Sequence, residues 1–149
     1  MKTSKTAGMK LLGRQLSDQN YEALLKALTP KKYQTADFDT LYRIQAQIKC
    51  IEIVVENIRF WEFEDYPSHQ MLVENNIREI GSAIANLSSA LRERNPHTDW
   101  KTLDIIRDLA AQDKGTIDPA ILWDFGTKKL PVVRGQILQM IDDEYALLE

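Results

Sequence analysis

The apolar residues in the middle of the chain recur at steps of 4, 3, 4, 3 and 4, and this spacing restricts the fold more than any other feature. Such steps align side chains on one face of a 3.6-residue helix, whereas a strand requires strict alternation. The spacing predicts one helix from Ser68 to about Arg94. Gly81 inside it costs about 1 kcal/mol relative to alanine, which predicts that a second helix approaches closely there. The apolar residues are Val73, Ile77, Ile80, Ile84, Leu87 and Leu91.

Similar patterns predict three further helices. A first amphipathic helix is expected over about Asp37–Phe63, and a short third helix over Trp100–Gln112, with Thr98 or Asp99 as its N-cap. The fourth helix is expected to begin at Asp118-Pro119, because Asp caps helices well and Pro fits their first position.

The last helix contains Pro131, whose ring clashes with the carbonyl four residues earlier and offers no N–H. We therefore expect a kink or break between residues 126 and 131. Together the patterns predict an all-α fold, an up-and-down four-helix bundle over residues 37–149 with a Pro-broken last helix. Residues 1–36 are expected to form an N-terminal extension with a short accessory helix over residues 21–28.

Composition agrees with one ordinary globular domain. Hydrophobic residues make up 44% of the 149 residues and charged residues 28%. The formal net charge of −3 argues against broad coating of nucleic acid, which needs a basic surface. The single cysteine, Cys50, is expected to be a buried small apolar residue and fits a reducing cytoplasm. No signal-like segment or membrane-spanning run of apolar residues occurs, so a cytoplasmic protein without membrane contact is expected.

Most catalytic chemistries lack their residues in this sequence. The two histidines, His69 and His97, have no second ligand at metal-binding spacing, so we expect no metal site and no cofactor. No Gly-rich phosphate loop occurs. Glu52 and Glu56 stand one helical turn apart and are interpreted as a solvated charged face rather than an acid–base pair. The residue types and their spacing therefore predict a helical bundle, but they indicate no particular activity.

Four short motifs resemble, in order and spacing, the HepT-like branch of the HEPN ribonuclease-toxin superfamily. The segment 76–83 looks like that family's Asn-Leu-x-x-Ile-Gly-Glu-Ala, and 95–100 looks like its Pro-x-x-x-Trp turn. The segment 118–124 is similar to its Val-Asp-x-x-x-x-Trp pattern, and Leu130-Pro131 matches its last helix break. The resemblance covers about residues 38–143 and implies a helical bundle with metal-independent RNA cleavage.

The family's active motif is Arg, four residues, then His, with Tyr two positions further on. The resemblance places Arg107 at the arginine position, Gln112 at the histidine position and Lys114 at the tyrosine position. Asp108 stands where Asn is typical, and Ser82 replaces the usual Glu. The resemblance implies that Arg107 stabilises charge on phosphoryl oxygens, with Asp108 and Lys114 as further binding positions. Glutamine cannot transfer protons near pH 7, so the catalytic position Gln112 is degenerate.

Simpler interpretations of the same residues remain open. Arg107 could instead pair with a neighbouring acid, namely Asp104, Asp108 or Asp113. Gln112 could be a plain surface amide.

The leading hypothesis is a homodimeric, catalytically impaired HepT-like protein of a toxin–antitoxin or nucleotidyltransferase pair. It would bind a nucleotidyltransferase-like antitoxin, or RNA or a nucleotide, at a dimer cleft near Arg107, and Lys114 could not accept AMP as a tyrosine does. One alternative is an active endoribonuclease toxin in which His69 or His97 moves the proton. Another is the substrate-binding helical subunit of a minimal nucleotidyltransferase.

Overall fold

The computed structural model describes residues 32–148, and the predicted helix over residues 21–28 lies outside them. The described part is helical throughout its elements, so the all-α prediction is confirmed, while the domain boundary at residue 37 stays a prediction. The elements are α1 Lys32–Glu56, α2 Phe60–Asp65, α3 Pro67–Ala85, α4 Ser89–Arg94, α5 Trp100–Ala110, α6 Pro119–Asp124, a π-helical segment Phe125–Lys129, and α7 Leu130–Ala146.

The four longer helices, α1, α3, α5 and α7, enclose one hydrophobic core. Helix α3 is central, because it packs against α1 on one side and α5 on the other, and α7 packs against α1. All six residues of the 4-3 pattern are buried. Burying aliphatic side chains of this size stabilises by about 1.5–3 kcal/mol each. The apolar pattern therefore identified the core face correctly.

Two predicted helices are each divided in the structure. The first ends at Glu56, and the separate helix α2 then brings Phe63 into the core, where its ring lies 5.3 Å from that of Trp123. The second is interrupted at residues 86–88. There the hydroxyl of Ser88 caps α4, and the Ser88 N–H and hydroxyl donate to Asp37 of α1 at 3.0 and 2.6 Å. Tertiary contacts, which the periodicity does not contain, cause both interruptions.

Where a kink or break was expected before Pro131, the structure has a π-helical segment that continues directly into α7. Residues 125–129 are wound more widely than an α-helix, and α7 then begins with Pro131 in its first turn. The wider winding makes room for the Pro131 ring, which in a regular α-helix would clash with the carbonyl four residues earlier. Gly126 in the wide turn lies against α1, since a Cβ built there would be 3.1 Å from Ile51.

Two predictions about α1 were wrong. Cys50 is exposed, because it lies about 200° around the helix from the buried Ile48. Glu52 is buried rather than solvated, and its carboxylate is 3.4 Å from the guanidinium of Arg134 on α7. Among the helices within residues 32–148, none combines the length and apolar character needed to cross a membrane.

Candidate functional site

Helix α5 carries Arg107 and is fixed first at its N-terminal end. The carboxylate of Asp99 caps the helix by accepting from the Thr102 N–H at 3.1 Å, and hydrogen bonds from Thr102 lower the pKa of Asp99. The indole of Trp100 donates to the carbonyl of Asn95 at 2.8 Å. Of the two predicted caps, Asp99 is the one used.

The C-terminal half of α5 lies unusually close to α3. A Cβ built on Gly81 would be 2.3 Å from the Ala110 Cβ and 3.3 Å from the Arg107 Cα. Only glycine therefore allows this packing, and the close approach predicted for Gly81 is confirmed. The buried face of α5, Leu103, Ile106 and Leu109, packs into the core. These core contacts therefore fix the position of the backbone at Arg107.

The C-terminal end of α5 rests on a side chain that the sequence interpretation missed. Arg78 of α3 donates from Nη1 to the carbonyls of Ala110 and Gln112, at 2.8 and 2.5 Å. One turn earlier, the carboxylate of Glu74 lies 3.4 Å from the Arg78 Nε. The only sequence signal was a Glu and an Arg four residues apart beside the apolar stripe.

The guanidinium of Arg107 is half-exposed and surrounded by carboxylates. Its atoms lie 3.5 Å from Asp104 and 3.8 Å from Asp108, while 43% of the side chain remains exposed. Asp104 also accepts from Arg92 at 2.9 Å, and that hydrogen bond, with the charge of Arg107, holds the pKa of Asp104 below its usual value. The guanidinium of Arg92 in turn stacks over Trp100 at 4.6 Å.

The structure shows the local acid pairing of Arg107, while its role as a binding residue stays a prediction. The local acid pairing is real for Asp104 and Asp108, and within the described chain Asp113 makes no ion pair with it. The Arg107 side chain nevertheless remains 43% exposed, so these two carboxylates do not cover the guanidinium completely.

The other predicted site residues, Gln112 and Lys114, lie on the segment after α5. Both side chains are exposed. In the part of the chain that the structure describes, no hydrogen bond or ion pair connects either side chain to Arg107. The segment brings these positions to the same end of the bundle and leaves their side chains available.

Neither histidine accompanies Arg107. His69 stacks edge-on against Tyr66 near the start of α3, twelve residues from Gly81, which is about 18 Å along the helix. His97 lies before α5 and is 3.9 Å from Asp143 of α7. Across residues 32–148, no group of three or more His, Cys, Asp or Glu side chains is arranged to hold a metal ion.

Comparison with known proteins gives one family. The model for ribonuclease HepT-like proteins matches residues 44–140. A Putative RNase of Caldanaerobacter subterraneus subsp. tengcongensis is 25% identical over 62% of this chain and 86% of its own length. A second Putative RNase, of Methanocaldococcus jannaschii, is 28% identical over 69% of this chain and 85% of its own length.

A longer relative from the same archaeon combines two named activities. This Gamma-glutamylcyclotransferase and putative RNase is 26% identical over 64% of this chain, and the match covers 45% of its length. No solved structure matches the chain.

Proposed function

The chain belongs to the ribonuclease HepT-like family, and from this premise we propose that it acts by binding at the Arg107 surface, with impaired ribonuclease activity. The preferred ligand is single-stranded RNA or a nucleotide, whose phosphate would pair with the exposed guanidinium fork. The protein would act as a homodimer and as one member of a toxin–antitoxin or nucleotidyltransferase pair.

One observation carries the proposal. Position 112, which follows Arg107 at the family spacing, holds an exposed glutamine that cannot exchange a proton near neutral pH. Loss of a general acid–base group typically lowers the rate roughly 10²–10⁴-fold. Both histidines contact residues elsewhere on the bundle, which weighs against the alternative in which one of them moves the proton beside Arg107.

Homodimer formation is supported by exposed apolar side chains on α3 and α5. Ile105 of α5 is 47% exposed, and Leu72 of α3 is 41% exposed. A two-fold interface would cover such side chains and bring two copies of Arg107 to one cleft. Light scattering should give about twice the 17.2 kDa of one chain, and a monomer at micromolar concentration would exclude this part of the proposal.

Association with a nucleotidyltransferase would proceed without AMP transfer to position 114. Lys114 has no phenolic oxygen, and its exposed ammonium would contribute only charge. The helical-subunit alternative requires the same partner but places a nucleotide rather than RNA at the Arg107 surface.

RNA cleavage tests the proposal directly. The pure wild type should leave a single-stranded RNA oligonucleotide intact, whereas Gln112→His should raise cleavage by roughly 10²–10⁴-fold over the wild-type background. Adding Arg107→Ala to that variant should remove the gain, because the phosphoryl charge loses its bidentate partner. Cleavage by the wild type that Arg107→Ala abolishes would overturn the impaired-site proposal.

A further inference from the structure

The carbonyls at the C-terminal end of α5 are bound by one half-buried arginine. The last carbonyls of a helix lack partners within the helix, and α5 ends at Ala110. The Nη1 group of Arg78 donates to the Ala110 carbonyl at 2.8 Å and to the Gln112 carbonyl at 2.5 Å. A cation at this position also interacts favourably with the negative end of the helix dipole.

A glutamate on the same face of α3 binds the other end of the segment. The Glu74 carboxylate accepts from the Gly115 N–H at 3.1 Å and from the Arg78 Nε at 3.4 Å. Gly115 has φ +77°, a conformation that other residues adopt only with strain. Two side chains one helical turn apart therefore attach both ends of residues 110–115 to α3.

This arrangement leaves the side chains at positions 112 and 114 free. Arg78 and Glu74 contact only backbone atoms of the segment, and 18% and 10% of their side chains are exposed. They are too enclosed to take part in an outer ligand site directly. Their contacts instead determine where the backbone of the segment lies relative to α5 and Arg107.

We propose that Arg78 and Glu74 are positioning residues, a clamp on residues 110–115 that holds positions 112 and 114 beside Arg107 for ligand binding. The role of the clamp in ligand binding rests on the proposed function, whereas the existence of the clamp does not. Local contacts account for only part of this conformation. The Thr116 hydroxyl donates to the Asp113 carbonyl at 2.5 Å, whereas the side-chain hydrogen bonds to the Ala110 and Gln112 carbonyls come from Arg78 of α3.

Backbone amide exchange tests the clamp without any ligand. Arg78→Met keeps the aliphatic bulk and helix propensity but removes the donors, and Arg78→Lys returns a charge. The Gly115 amide should exchange roughly five- to tenfold faster in Arg78→Met, the factor for about one lost hydrogen bond, and less fast in Arg78→Lys. Glu74→Met should act similarly, since it removes the acceptor of that amide.

Arg134→Met is the matched control. It also breaks an arginine–buried glutamate pair, the one with Glu52 at 3.4 Å, but between α7 and α1. It should leave exchange at residues 111–116 unchanged. Wild-type protection of Gly115 in both Arg78→Met and Glu74→Met, with the helical circular dichroism retained, would overturn the clamp.

Affinity for a single-stranded RNA oligonucleotide tests the positioning role. Arg78→Met should weaken binding by roughly three- to tenfold, Arg78→Lys should restore part of it, and Arg134→Met should not change it. Faster exchange with unchanged affinity, in a protein whose binding Arg107→Ala abolishes, would contradict positioning. If the wild type binds no RNA, the proposed function fails, and the exchange result still decides whether the clamp exists.

Discussion

Two arginines, Arg78 at the C-terminal end of α5 and Arg107 on α5 itself, have surroundings that differ in kind. Arg78 is largely enclosed, and its closest hydrogen bonds go to two backbone carbonyls. Arg107 is half-exposed, and its partners are two carboxylates at 3.5 and 3.8 Å. Arg78 thus stabilises the fold, whereas Arg107, with the same type of side chain, remains available for a ligand.

The difference follows from what each partner can do. Backbone carbonyls at a helix end cannot move away without unfolding the helix, so Arg78 stays bound. The exposed carboxylate of Asp108 can rotate away, whereas Asp104 is also held by Arg92. Exposed ion pairs contribute only about 0–1 kcal/mol. An incoming phosphate can therefore replace Asp108 beside Arg107, whereas no ligand should displace the partners of Arg78.

The largest effect is expected from a substitution in the buried contact between α3 and α5. Gly81→Ala places a Cβ 2.3 Å from that of Ala110, and such overpacking should lower the free energy of unfolding by about 1–3 kcal/mol. Gly135→Ala is the control, since nothing lies within 4 Å of a Cβ there and α7 should gain up to about 1 kcal/mol. Urea denaturation measures both, and equal stability of the two variants would refute the close approach.

A smaller effect is expected from a substitution beside the exposed Arg107. Asp108→Asn removes a carboxylate that competes with phosphate for Arg107, so affinity for single-stranded RNA should rise by about two- to fivefold at low salt. Asp142→Asn on α7 makes the same change in net charge at an exposed position. Fluorescence anisotropy should show the larger gain for Asp108→Asn. An equal gain in both would mean that only net charge matters.

The smallest effect is expected in the stability of the protein at low pH, and it concerns Asp104 beside Arg107. The pKa of Asp104 lies below the ordinary 3.8, chiefly because Arg92 donates to its carboxylate. The stabilisation is therefore complete above pH 3.8 and is lost as the pH falls through the lower folded-state pKa. The urea midpoint of wild type should exceed that of Asp104→Asn at about pH 7 and approach it at about pH 2. A constant difference across this range would contradict the assignment.

One structural feature of the candidate site could be predicted from a particular residue, because Gly81 predicted the close helix contact beside Arg107. The assignment of Arg107, Gln112 and Lys114 from the family spacing stays a prediction. The clamp could not be predicted, because Glu74 and Arg78 look like an ordinary surface pair four residues apart on a helix. Only the packing of α3 against α5 turns that pair toward the segment after Ala110.

By itself, the sequence determined the helical class, the buried face of α3 and the interruption of regular α-helix before Pro131, because these depend on local periodicity and backbone chemistry. Tertiary structure decided where the helices are interrupted and which charged residues are enclosed. Asp37 caps the turn at Ser88, and Glu52 pairs with Arg134, across 51 and 82 residues of chain. Such contacts depend on how the helices pack against each other, and the residue pattern of one helix does not indicate which residues of another helix it will contact.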